Sequence, residues 1–253
     1  MSRKQLLEMA KPILFNTEMV QAILKNKKTV TRRIVKYYGR TPTMDGKDKF
    51  YKIDENLNGT NPNRLYAGFY NDNDVFEYKG ETMIDALYYP LYFKVGDILY
   101  VRETWQEVFE TEYGRDRPFN IRELITNFDE IDKIKAGLST QCSRPSDPAR
   151  EKYYVFKASD IHYADSEDRL RWKPSIHMPK SAVRIFLKVK NVYVERLQEI
   201  SNWDIKQEGL PYSEEKKKFI ELWNSTIKKQ DLNQYGWEAN PWVWVIEFER
   251  TEG

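Results

Sequence analysis

Two stretches of the chain gather cations without a single acid. Residues 25–36 (KNKKTVTRRIVK) carry Lys25, Lys27, Lys28, Arg32, Arg33 and Lys36. Residues 169–190 carry Arg169, Arg171, Lys173, Lys180, Arg184, Lys188 and Lys190. Together they hold 13 of the 41 basic residues and none of the 39 acidic ones, which leaves 28 against 39 elsewhere. A net charge of +2 hides this asymmetry. If the stretches fold together they form one face for an anion such as a nucleic-acid phosphate. The alternative is two solvated edges. The second stretch also holds Trp172, and Ser175 and His177 in a loop bracketed by Pro174 and Pro179. Such a loop fixes its backbone and can present side chains. Trp105 and Trp172 are each either a surface on which a base stacks or core. Trp172 is the stacking choice, because it lies inside a basic stretch. His177 is either a general acid or a structural group.

Other chemistries are poorly supplied. One cysteine, Cys142, gives no disulfide framework and no all-cysteine metal site. With only His162 and His177 beside it, a structural zinc site is not expected. Neither a metal nor a cofactor is expected. The pair of histidines that acid–base cleavage of a phosphodiester would use is not evident. The longest purely apolar run is Trp242–Ile246, too short for a transmembrane helix. The first residues, MSRKQLLE, lack the apolar core of a signal peptide. The expectation is a cytoplasmic protein with no membrane partner. Its 253 residues are 40% apolar and 32% charged. With 12 Phe, 17 Tyr and 7 Trp they are too aromatic for a disordered chain.

The elements that position these groups are short. Pro12–Phe15 reads as a strand, and Asn16 or Thr17 caps a helix carrying Met19, Val20, Ile23 and Leu24. Asn26 falls where a left-handed residue ends it, and Thr29-Val30-Thr31 turns into a strand. Leu65–Tyr70 and Val75–Tyr78 read as a hairpin, and Ile98–Val101 as a buried strand. Ile121, Leu124, Ile125, Phe128, Ile131 and Ile134 keep one helical face up to Gly137, and residues 142–150 read as a loop. Strands follow at Tyr153–Ala158, Ile185–Val194 and Trp242–Phe248, with helices from Ser201 and over Glu214–Ile227. Short strands with few helices favour an α+β fold around a small β-barrel over a parallel sheet.

Several segments in order resemble the ASCH family of phage and prophage proteins, whose fold is a PUA-like β-barrel. They are Lys11–Phe15, Lys27–Arg33, Gly96–Trp105, Trp172–Pro179, Val194–Ile200, Glu208–Leu210 and Asn240–Phe248. The resemblance implies a single domain over 1–253, a small barrel with flanking helices. Two elaborating insertions, at about 37–94 and 106–152, have no counterpart in compact members. It also implies a cleft for RNA or a modified nucleoside. Some small members remove the acyl group of N4-acetylcytidine. Their motif carries over a lysine at Lys28, a threonine nucleophile at Thr31 and a glutamate at Glu208. Lys27, Arg32, Arg33, Arg102, Glu103, Trp172, Lys173, Ser175 and His177 become the nucleic-acid-binding set. Arg102 on a phosphate and Glu103 near a base edge is one reading; an ion pair is the other.

Amide hydrolysis needs a nucleophile, a group to take its proton and a stabiliser of the oxyanion. A lysine serves as base only if burial or nearby cations lower its pKa. Lys27, Arg32 and Arg33 supply such cations, or else bind phosphate. Glu208 can orient the lysine or pass a proton to the leaving amine. A regular strand over 28–31 would turn Lys28 and Thr31 to opposite faces, so the catalytic reading expects a bend near Lys28. The alternatives are a module that binds RNA or a modified base without chemistry, and a phage protein whose insertions bind a protein partner beside a degenerate cleft.

Overall fold

The computed structural model describes residues 2–36, 49–54, 64–79, 81–84, 86–110, 151–159, 171–210 and 215–251. In chain order the strands are β1 (Lys11–Leu14), β2 (Val30–Ile34), β3 (Lys49–Asp54), β4 (Leu65–Tyr70), β5 (Val75–Tyr78), β6 (Glu81–Ile84), β7 (Leu87–Leu91), β8 (Ile98–Arg102), β9 (Trp105–Glu110), β10 (Glu151–Phe156), β11 (Phe186–Arg196) and β12 (Trp242–Thr251). The α-helices are α1 (Arg3–Met9), α2 (Thr17–Leu24), α3 (Asn202–Gln207), α4 (Glu215–Ser225) and α5 (Leu232–Tyr235). This is a mixed α+β protein, mostly strands in several sheets, and no closed barrel is found among the described residues. The helix expected over Ile121–Ile134, the loop 142–150, Cys142, His162 and Arg169 lie outside the described residues.

The chain divides into two compact units. The first comprises Met1–Lys25, Ile98–Leu187 and Arg250–Gly253; the second comprises Asn26–Asp97 and Lys188–Glu249.

In the first unit, Ser2 caps α1 and exchanges hydrogen bonds with Gln5, which frees the helix to bury Leu6. Leu6 joins a core of Ala10, Ile98, Trp105, Tyr154, Phe156, Met178, Val183 and Phe186. β1 runs parallel to β8, from Lys11 opposite Leu99 to Leu14 opposite Arg102. β9 and β10 pair antiparallel, with Trp105 opposite Phe156. The Asn16 side chain accepts from the Met19 N–H at 2.8 Å and starts α2, whose buried face is Val20, Ala22 and Ile23.

In the second unit, Asn26 takes φ 54°, the left-handed value that Asn tolerates better than most residues. The chain then enters β2, antiparallel to β12 from Val30 opposite Glu247 to Ile34 opposite Val243. One face of this pair, with Val30, Val243 and Val245, packs on Leu197, Ile200, Ile205, Phe219, Trp223 and Trp237. β3, β4 and β7 form a separate sheet whose Phe69 and Phe50 rings lie 5.2 and 6.2 Å from that of Trp242.

The hairpin expected from Leu65–Tyr70 and Val75–Tyr78 does not form. β4 pairs with β3 and β7, and β5 pairs with β6. Between them Asn71 caps a 3-10 turn over Asp72–Asp74 rather than closing a hairpin. Leu65 to Phe69 are all buried, which a strand flanked on both edges satisfies and a two-stranded hairpin does not.

Candidate functional site

Buried ionic and polar groups are the informative ones in a folded chain, because each needs a partner. Among the described residues they are Lys28, Thr31, Arg32, Glu103, Gln106 and Glu208. Four of these six belong to the second unit and cluster around β2.

β2 has β12 on one side. On its other side the Thr29 N–H donates to the Gln207 carbonyl at 2.8 Å, and Lys28 bridges Glu208 in antiparallel fashion. The Thr29 hydroxyl also bonds Gln207 Oε1. Glu208 reaches this edge because α3, capped by Ser201, ends at Glu208. Gly209 follows at φ 92°, a backbone that a side chain would strain.

At that edge the Glu208 carboxylate is shared. Lys28 Nζ donates to Oε2 and, at 3.1 Å, to the main-chain carbonyl of the same residue. Arg32 Nη1 donates to Oε1 at 3.1 Å. Arg32 Nε donates to Glu195 Oε1 at 2.7 Å, and Nη2 lies 3.9 Å from Asp204 Oδ2. Burial pulls the Lys28 ammonium below its ordinary pKa; Glu208 opposes this, and Arg33 and Arg32 reinforce it. Burial also lowers Arg33, with Glu208 opposing. For Arg32 burial acts downward, but Glu208 and Glu195 outweigh it and the net direction is up. Burial raises Glu195 against the pull of Arg32, and burial beside Glu195 pushes Tyr193 up to about 12.

Thr31 lies in the regular part of β2, opposite Ile246. The ladder from Val30 to Ile34 has no bulge, so side chains alternate: Val30, Arg32 and Ile34 to one face, Thr31 and Arg33 to the other. Among the described residues Thr31 Oγ1 makes no hydrogen bond, to Lys28, Glu208 or any other. The Lys28–Glu208 pair feels both faces: Arg32 bonds the carboxylate from one, and the charge of Arg33 acts on it from the other. Lys27 is exposed.

The remaining sequence-derived residues belong to the first unit. Arg102 donates to the carbonyls of Ile176 and, at 3.2 Å, Met178, and so ties the end of β8 to the proline-bracketed loop. Glu103 is fully buried, and Arg184 grips both its oxygens at 2.8 and 2.7 Å. Arg184 also donates to Ser159 Oγ at 2.9 Å and lies 4.2 Å over the Phe156 ring. Lys173 Nζ sits 4.8 Å over the Trp105 ring and 3.3 Å from Glu107 Oε1. Trp105 is buried and Trp172 half-buried. Ser175 and His177 form a 3-10 turn in which His177 is exposed.

The partners of these cations were not singled out from the sequence. Glu195 and Asp204 meet Arg32 from 163 and 172 residues away, and no local pattern marks them. Among the described residues no group of His, Cys, Asp and Glu has a metal-binding arrangement, and no helix is long and apolar enough to cross a membrane. Compared with protein-family models, curated proteins and solved structures, the chain has no match.

Proposed function

We propose that this chain is an ASCH-like protein with a PUA-like barrel that binds a nucleoside or RNA and hydrolyses the amide of an N4-acylated cytidine. Thr31 Oγ1 attacks the acyl carbon and gives its proton to neutral Lys28 Nζ. The C–N4 bond breaks, and the amine leaves with the proton from Lys28. Water then hydrolyses the threonine ester and releases the carboxylic acid. Glu208 holds Lys28 in place and compensates its charge when it is an ammonium.

One observation carries this reading: Lys28 is buried against Glu208 with its pKa lowered, three residues before a buried threonine. A lysine in that state is a base rather than a surface cation. The lack of a hydrogen bond from Thr31 to Lys28 favours a second reading, a module that binds RNA or a modified base without chemistry. The two separate on N4-acetylcytidine. Release of acetate by the purified protein, abolished by Thr31→Ala with the fold intact, supports the hydrolase. Salt-dependent polynucleotide binding without turnover supports the module.

A further inference from the structure

β2 and β12 turn a second face away from the core around Val30, and its chemistry is one-sided. Its cross-strand pairs are Thr31 with Ile246 and Arg33 with Trp244. Val35 lies beside Trp242, its N–H bonded to the Trp242 carbonyl at 3.0 Å. Directly opposed Cβ atoms in such a pair are ~4.5–5.5 Å apart and diagonal ones ~7–8 Å. Thr31, Arg33 and Trp244 are therefore within reach of one small ligand. Trp244 is 1% exposed, and its indole Nε1 has no hydrogen-bond partner. The buried Nε1 of Trp242, two residues earlier on the same face, has none either. Phenylalanine would pack there without leaving a buried donor unmet, so apolar packing does not account for two indoles. Indole and guanidinium nitrogens only donate. Apart from the Thr31 hydroxyl, this row offers donors and no side-chain acceptor. Arg33 and Trp242 remain half-exposed, so the row opens to solvent.

We propose that Trp244 and Arg33, beside Thr31, form a donor site for an acceptor-rich ligand, the carbonyl edge of an acylated pyrimidine nucleoside. This rests on the reading of Thr31 as nucleophile. When Thr31 Oγ1 bonds the acyl carbon, the carbonyl electron pair moves to oxygen, and the Trp244 N–H and the Arg33 guanidinium donate to that oxyanion. When the pair returns, the C–N4 bond breaks and N4 departs with the proton held by Lys28. Removing one such donor typically lowers kcat ~10²–10³-fold.

The test is calorimetric titration of N4-acetylcytidine into Thr31→Ala, which cannot turn it over, and into Thr31→Ala/Trp244→Phe, with acetate release by the wild type measured alongside. The expected result is at least a tenfold loss of affinity on Trp244→Phe. Arg33→Gln should weaken binding independently. In the unaltered protein the Trp244 indole proton resonance should shift downfield at saturating ligand, which needs no variant to fold. Equal affinity of the two proteins, or no resonance shift, overturns the donor site even if the wild type releases acetate. No acetate release, with binding still weakened by Trp244→Phe, overturns the hydrolase and leaves the donor site standing. Failure of Thr31→Ala to bind N4-acetylcytidine at all overturns the donor site.

Discussion

Lys28 Nζ donates twice to Glu208, a residue 180 positions further along the chain, once to a carboxylate oxygen and once to the main-chain carbonyl. The second bond fixes the ammonium relative to the backbone and not only to a mobile carboxylate. Lys28 therefore has a defined position at the edge of β2, and Glu208 a defined orientation between Lys28 and Arg32. A buried pair of this kind is fragile to loss of one partner, because the other charge stays in the interior.

Glu208→Ala should destabilise the protein by about 3–5 kcal/mol, since it strands Lys28. Lys28→Met should cost less, because Arg32 still bonds Glu208 Oε1. Urea unfolding of both variants measures this. A Glu208→Ala cost below that of Lys28→Met would mean that the pair does not hold this edge.

The pH dependence follows from the direction of the Lys28 shift. Its folded pKa lies below the unfolded value of 10.5. Between those two values the unfolded chain binds a proton that the folded one does not. The contribution of Lys28 to stability is thus present above 10.5 and lost as pH falls through the folded pKa. The stability difference between wild type and Lys28→Met should move in favour of the variant as pH is lowered across that window. A difference that stays constant would place the Lys28 pKa at its ordinary value.

Much of the local structure was legible and most of the pairing was not. Asn16 as cap, Glu18 in the first turn and left-handed Asn26 are short-range chemistry, and they appear as read. The capping-box spacing of Ser2 and Gln5 was equally present, yet the helix it starts went unread because only Leu6 in it is buried. The strands Leu65–Tyr70 and Val75–Tyr78 were visible, but their partners were set by burial on both edges of β4. Lys28, Thr31 and Glu208 were named through a resemblance. The carboxylates that hold Arg32 come from β11 and α3, and strand periodicity carries no information about contacts so distant.

Arg32 and Lys27 should behave differently toward nucleic acid. The Arg32 guanidinium bonds Glu195 and Glu208, whereas Lys27 is exposed. If the chain binds single-stranded RNA, Lys27→Ala should reduce the salt slope by about 0.7 per phosphate contact. Arg32→Lys should leave the slope unchanged and lower stability. A slope change for Arg32→Lys equal to that for Lys27→Ala would show that Arg32 contacts phosphate.

In the first unit Arg184→Ala strands the fully buried Glu103 and should cost about 3–5 kcal/mol. Glu103→Gln/Arg184→Met should recover part of that loss, because neither residue then carries a buried charge. A double-mutant cycle by chemical denaturation measures the coupling. Additive costs would mean that the ion pair does not hold the end of β8.

The central claim is that a buried lysine at the edge of β2 activates Thr31 for amide hydrolysis. Acetate release from N4-acetylcytidine, followed for wild type, Thr31→Ala and Lys28→Ala, tests it most directly. The expected result is turnover by the wild type and its near-complete loss in both variants by similar factors, because nucleophile and base act as a unit. Turnover that survives Thr31→Ala, or a wild type that releases no acetate, would contradict it.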